Sequence, residues 1–199
     1  MRRRTLVGIV IVVLVALVGF GLVLLDRAAP SISRVSQPEH ACITSAESCL
    51  RFPVVSGDSL TGESFTLPDD LSGDAVLVIV PFDERQQIDA QTWLPLARDL
   101  ASTHPGFTYY NVPVFPSMSA PMRALIRGGM VLTIGDEALR AVTILVFLDD
   151  LAPFLSDLDI PDTGAMQVFL LNSDGEVLWR GAGVFSDDMG DSLRVWVTG

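Results

Sequence analysis

Residues 5–25 carry no charge over 21 consecutive positions, and this run limits what the chain can be more than any other feature. A helix of that length spans about 31 Å, close to the roughly 30 Å hydrocarbon core of a bilayer. Val, Leu and Ile dominate it, with Gly8, Gly19 and Gly21 as small breaks of a kind common in membrane helices. A cleaved signal peptide also opens with basic residues, but its apolar core is about 7–15 residues and ends in a small-x-small site. Here Asp26-Arg27-Ala28-Ala29-Pro30 follows, with a proline against the two alanines. The expectation is an uncleaved, single-pass anchor. Arg2, Arg3 and Arg4 before it, against Asp26 and Arg27 after it, predict a cytoplasmic stub of residues 1–4 and an extracytoplasmic remainder. The cell membrane is the expected location, reached through the chain's own helix.

The roughly 174 residues beyond the run suffice for one domain and a linker, not for a two-domain enzyme. From Asp26 onward 10 Arg face 24 acids, a net charge of −14. Such a surface repels phosphate backbones, so no nucleic-acid partner is expected. Residues 26–51 are rich in Ser, Ala and Pro without an apolar period and read as a linker. The linker holds both cysteines, Cys42 and Cys49, in a compartment where disulfides persist. Closing so small a loop contributes at most about 2.5 kcal/mol. The expectation is a local disulfide staple. A redox-active pair and a metal carrier using His40, Cys42 and Cys49 stay open as alternatives.

Residues 52–199 read as one folded domain. Pro53-Val54-Val55 and Ser64-Phe65-Thr66-Leu67 suggest a hairpin around Gly57 and Gly62. Ala75-Val76-Leu77-Val78-Ile79-Val80 has the continuous β-branched character of a strand buried on both faces. Ile88, Trp93, Leu96, Ala97 and Leu100 then mark the apolar side of a helix that Pro95 should kink. Further strands are predicted over 107–114 and 141–148. Between them a helix capped by Ser119 is predicted to stop at Gly128-Gly129. A short helix over 151–158 follows. Strands over 166–171 and 177–180 are joined at Asp174-Gly175, and a helix over 186–197 closes the chain. Alternating β and α elements with a late hairpin predict an α/β fold with a mixed central sheet and flanking helices.

That order resembles the thioredoxin-like plan over roughly residues 52–197, and Gln167-Val168-Phe169-Leu170-Leu171-Asn172-Ser173-Asp174-Gly175-Glu176-Val177 resembles its last hairpin. Thioredoxins with activity carry C-x-x-C where the first central strand meets its helix, and a cis-proline before the hairpin. Here the junction is Phe82-Asp83-Glu84-Arg85-Gln86-Gln87, and Gly164-Ala165-Met166-Gln167 has no proline. Thiol–disulfide exchange at the usual site is therefore excluded. A narrower resemblance lies in Met122-Arg123-Ala124-Leu125-Ile126-Arg127-Gly128-Gly129-Met130, Asp136, Arg140 and residues 175–183. These look like the mitochondrial ATPase complex subunit 10 assembly-factor family. That family implies a thioredoxin-like fold without active-site cysteines and a role in assembling a membrane complex. Its members work in the mitochondrial matrix, whereas the charge rule places this domain outside the cytoplasm, so the resemblance implies the fold more firmly than the complex served.

Arg123, Arg127 and Arg140 form a basic cluster on an acidic domain. With Gly128, Gly129 and Met130 they are the candidate docking residues for a carboxylate-bearing membrane or extracytoplasmic protein. The alternative is ordinary pairing with nearby acids. No catalytic residue, cofactor or resident metal is expected: Asp149-Asp150, Asp157 and Asp159 lack ligand spacing, and His104 has no nucleophile beside it. The predicted function is protein binding by a redox-inactive, membrane-anchored domain acting as an assembly factor or chaperone. The alternative is an extracytoplasmic thiol–disulfide oxidoreductase or metal carrier using Cys42 and Cys49.

Overall fold

The computed structural model describes residues 49–198, and the β-branched run lies at its centre as β3 (Ala75–Val80). The expected stub, membrane helix, His40 and Cys42 lie outside the described residues. Among the described residues no helix is long and apolar enough to cross a membrane. Every β3 residue after Ala75 is buried, and the strand's twofold side-chain period divides them between two cores. Val76, Val78 and Val80 join Phe52, Phe154 and Phe169 on one face; Leu77 and Ile79 join Trp93, Leu100 and Trp179 on the other. Each such apolar side chain contributes about 1.5–3 kcal/mol by leaving water.

Around β3 lie β1 (Val55–Ser59), β2 (Ser64–Leu67), α1 (Glu84–Gln91), α2 (Leu94–Thr103), β4 (Phe107–Asn111), β5 (Val114–Pro116), α3 (Ala120–Thr133), α4 (Glu137–Ala141), β6 (Ile144–Leu148), α5 (Ala152–Asp157), β7 (Gln167–Asn172), β8 (Val177–Ala182) and α6 (Asp187–Thr198). The central sheet has the order β4-β3-β7-β8, with β3 and β4 parallel and the other pairs antiparallel. It is the mixed sheet expected. A second four-stranded sheet, β2-β1-β6-β5, was not expected, and a bridge between Asn111 and Thr143 joins the two.

Several local expectations are corrected. The predicted kinked helix is two helices, broken at Thr92-Trp93. Pro95 falls in the first turn of α2, where its missing N–H leaves nothing unpaired. Ile88 is 68% exposed, and α1 buries Gln86 and Ala90 instead. The strand over 107–114 divides at Val112-Pro113, where the chain crosses from one sheet to the other. The strand over 141–148 begins only at Ile144, because α4 occupies the residues before it. Ser119 makes no side-chain cap, and α3 runs through Gly128-Gly129 to Thr133. Neither glycine adopts the positive φ that a glycine helix cap requires. Gly57 lies within β1 rather than in a turn. A Cβ there would sit 2.6 Å from the Leu145 carbonyl oxygen, so only glycine lets β1 and β6 close together. The final hairpin is as expected, with Gly175 at φ +75° and Asn172 Oδ1 accepting from the N–H groups of Asp174 and Glu176.

Candidate functional site

The junction of β3 and α1 is built by a buried Pro81-Phe82 turn that ends the strand and an Asp83 cap that starts the helix. Asp83 Oδ1 accepts from the Gln86 N–H at 2.9 Å. That hydrogen bond, aided by Arg85, holds the Asp83 carboxyl below the usual aspartate range. Arg85 lies 3.4 Å from Asp83 in an exposed pair, which contributes little to stability.

Gln86 is the residue at this corner that the sequence reading did not single out. It is 4% exposed. Its Oε1 accepts from the Phe82 N–H at 2.8 Å, and its Nε2 donates to the Thr163 carbonyl at 2.8 Å. One side chain thus links the end of β3, the first turn of α1 and the loop entering β7. The loop's next residues, Gly164 to Met166, contain no proline, and Met166 is fully buried. The signal for Gln86 was present: Asp83-Glu84-Arg85-Gln86 has the capping-box spacing, in which the third residue reaches back across the helix start. Nearby, the Trp93 indole donates to the Gly183 carbonyl at 2.9 Å, fixing the α1–α2 break against the end of β8. Among the described residues the corner offers amide and carboxylate groups and no thiol.

Cys49 lies at the other end of the sheet. The Val177 N–H donates to the Leu50 carbonyl at 2.8 Å, and the Phe52 N–H to the Gly175 carbonyl at 2.9 Å. These bonds set Cys49 beside the β7–β8 turn. The corner adjoins the opposite end of β7, where Gln167 pairs with Val80. Cys49 is half-buried and has no disulfide partner among the described residues. Cys42, and with it the expected staple, lies outside the described residues. No three of His, Cys, Asp and Glu among the described residues lie close enough to hold a metal. Several acids instead brace turns: Asp136, Asp150 and Asp162 each accept from a backbone N–H two residues on.

The arginines of the basic cluster come only partly together. Arg127 donates from Nη2 to the Ser59 carbonyl, and the adjacent Leu60 N–H donates to the Arg140 carbonyl at 3.2 Å. Both residues therefore meet the end of β1. Arg140 Nε is buried without a partner. Arg123 stands one helical turn before Arg127, its guanidinium 5.9 Å from the centre of the Phe147 ring. None of the three forms an ion pair among the described residues; the arginines that do so there include Arg85, Arg98 and Arg194. Arg123 overhangs a groove of about 290 Å³ on the second sheet, walled by Ser56, Asp58, Phe65 and Phe147. Met130 is half-buried on α3, whereas Gly128 and Gly129 lie on its open side, with nothing within 4 Å of where a Cβ would be.

No protein-family model matches this chain, and no curated protein does. Solved structures do. A putative electron transfer protein from Aquifex aeolicus VF5 is 14% identical, with 74% of this chain and 96% of that one covered at a TM-score of 0.52. Yeast Sco1 with copper bound is 12% identical, with 75% and 92% covered at 0.50. A thiol:disulfide interchange protein from Bacteroides sp. is 18% identical, with 75% and 89% covered at 0.49. Identities this low speak for the fold alone. The parallel β3–β4 pair joined through α1 and α2, followed by the β7–β8 hairpin and α6, agrees with the first two of these: the domain is a thioredoxin-like α/β fold.

Proposed function

We propose that this chain is a membrane-tethered thioredoxin-like protein that works by binding another membrane or extracytoplasmic protein, not by thiol exchange at its own corner. The observation that carries this reading is Gln86. It fills the space between α1 and the β7 loop and uses both ends of its amide there. The partner's contact is the groove under Arg123, a guanidinium without an ion pair among the described residues of a strongly acidic chain. Assembly of a membrane complex is the form such binding takes if the resemblance to the ATPase assembly factors extends to function. Photo-crosslinking of the full chain in its native membranes, followed by mass spectrometry, tests the reading. One reproducible protein partner is expected, reduced about tenfold or more by Arg123→Glu, and unaffected by Cys42→Ser with Cys49→Ser. Failure to recover any reproducible partner counts against it.

A second reading, a thiol–disulfide oxidoreductase or metal carrier using Cys42 and Cys49, draws on two observations. Cys49 has no disulfide partner among the described residues. The solved structures sharing the fold are named for thiol:disulfide interchange, electron transfer or bound copper, and those names favour this reading over an assembly role. Its test is a reduction potential and insulin-reduction assay on the full chain, with equilibrium dialysis against Cu(I). Activity or tight copper binding that disappears in the Cys42→Ser/Cys49→Ser variant would establish it in place of the first.

A further inference from the structure

We propose that the outward face of α3 lies against the bilayer that holds residues 5–25. The inference rests on those residues being a membrane anchor. None of the 14 residues of α3 is fully buried, which is unusual for a helix of that length. Its inward side carries Ile126, Arg127 and Met130, half-buried, with Arg127 bonded to Ser59. Its outward side carries Met122, Leu125 and Leu132, exposed by 48, 69 and 87%. The spacing 122, 125, 129, 132 puts these side chains in one stripe, with Gly129 leaving it flat between Leu125 and Leu132. The other exposed large apolar residues, Val54, Ile88, Val184 and Val195, lie on separate parts of the fold.

Charge selects the occupant. All 24 acids of the chain lie outside residues 100–135, so α3 sits in a stretch of 36 residues without a negative charge. Elsewhere the domain's acids repel anionic headgroups; α3 itself contributes no such repulsion. Arg123, exposed on the same helix, has a stem long enough to bring its guanidinium to headgroup phosphates. An exposed apolar stripe on a helix that carries Arg and no acid is the pattern of a helix lying in the interfacial plane. Covalent length brings the two surfaces together. Residues 26–48 separate the uncharged run from Cys49, and a chain of that length reaches at most about 80 Å. The bilayer is therefore always within reach, and the stripe meets it at high effective concentration.

The test uses the full chain in phosphatidylcholine vesicles, with no other protein, containing a phospholipid whose acyl chain carries a photoactivatable diazirine. After illumination, labelled peptides are identified by mass spectrometry. Label is expected on residues 5–25 and also on residues 120–133. Leu125→Asp with Leu132→Asp should reduce label on 120–133 about tenfold while leaving that on 5–25 and the melting temperature unchanged. Label on 5–25 with none on 120–133 overturns the inference and leaves the anchor standing; the stripe would then serve a protein or another segment of this chain. Label on neither overturns both.

Discussion

The Gln86 side-chain amide meets the Thr163 carbonyl at 2.8 Å, and through that bond the start of α1 is fastened to the loop that enters β7. Gln86→Ala removes it and the bond to Phe82 together, leaving a buried N–H and a C=O without partners. Each such group costs about 1–3 kcal/mol. The variant should lose about 2 kcal/mol or more, read as a lower urea midpoint. A loss within error of zero would mean that water replaces the amide and that the corner is open.

Asp83 gives a prediction with a sign. Its folded carboxyl titrates below the ordinary value of about 3.9, first because the Gln86 N–H donates to it. A depressed folded value stabilises the fold above the unfolded titration range, and the contribution is lost as pH falls through the folded value. Asp83→Ala should therefore cost about 1 kcal/mol at neutral pH. Its deficit against the parent should narrow below about pH 4. Thermal melts of both proteins between pH 3 and pH 7 provide the check. A deficit constant across that range would assign the effect to helix propensity instead.

Two glycine sites should respond in opposite directions. At Gly57 an added methyl group meets the Leu145 carbonyl oxygen and the Ile144 and Val146 side chains. Gly57→Ala should lose about 1–3 kcal/mol, the range of core overpacking, and broaden or lower the melt.

Gly128 and Gly129 are the reverse case, mid-helix with open space around them. Gly128→Ala and Gly129→Ala should each stabilise the chain by about 0.5–1 kcal/mol. Differential scanning calorimetry of the single variants decides this; a fall in stability would mean that another surface already packs against the glycines.

The sequence was most readable where one physical signal acted alone. The run 75–80 is buried on both sides and has no competing period, so β3 matches its expected bounds. Asn172, Asp174 and Gly175 are turn formers in turn positions, and the hairpin followed. Pro95 was read as a kink because its ring disturbs a helix interior. The chain breaks instead at Thr92-Trp93, where burying the whole indole of Trp93 fixes the geometry. Gly128-Gly129 carried a stop signal that depends on positive φ, and tertiary contacts of Ile126, Arg127 and Met130 kept the helix going. The cysteine-free corner was plain from Phe82 to Gln87. That Gln86 would span it was not, because its acceptor at Thr163 lies 77 residues away.

The bond between Gln86 and Thr163 has a consequence for recognition at that pole of the domain. With β3, α1 and the β7 loop held by one amide, the surface is already fixed before anything approaches it. A molecule docking there surrenders its own freedom and little of the domain's, so affinity can come from few contacts.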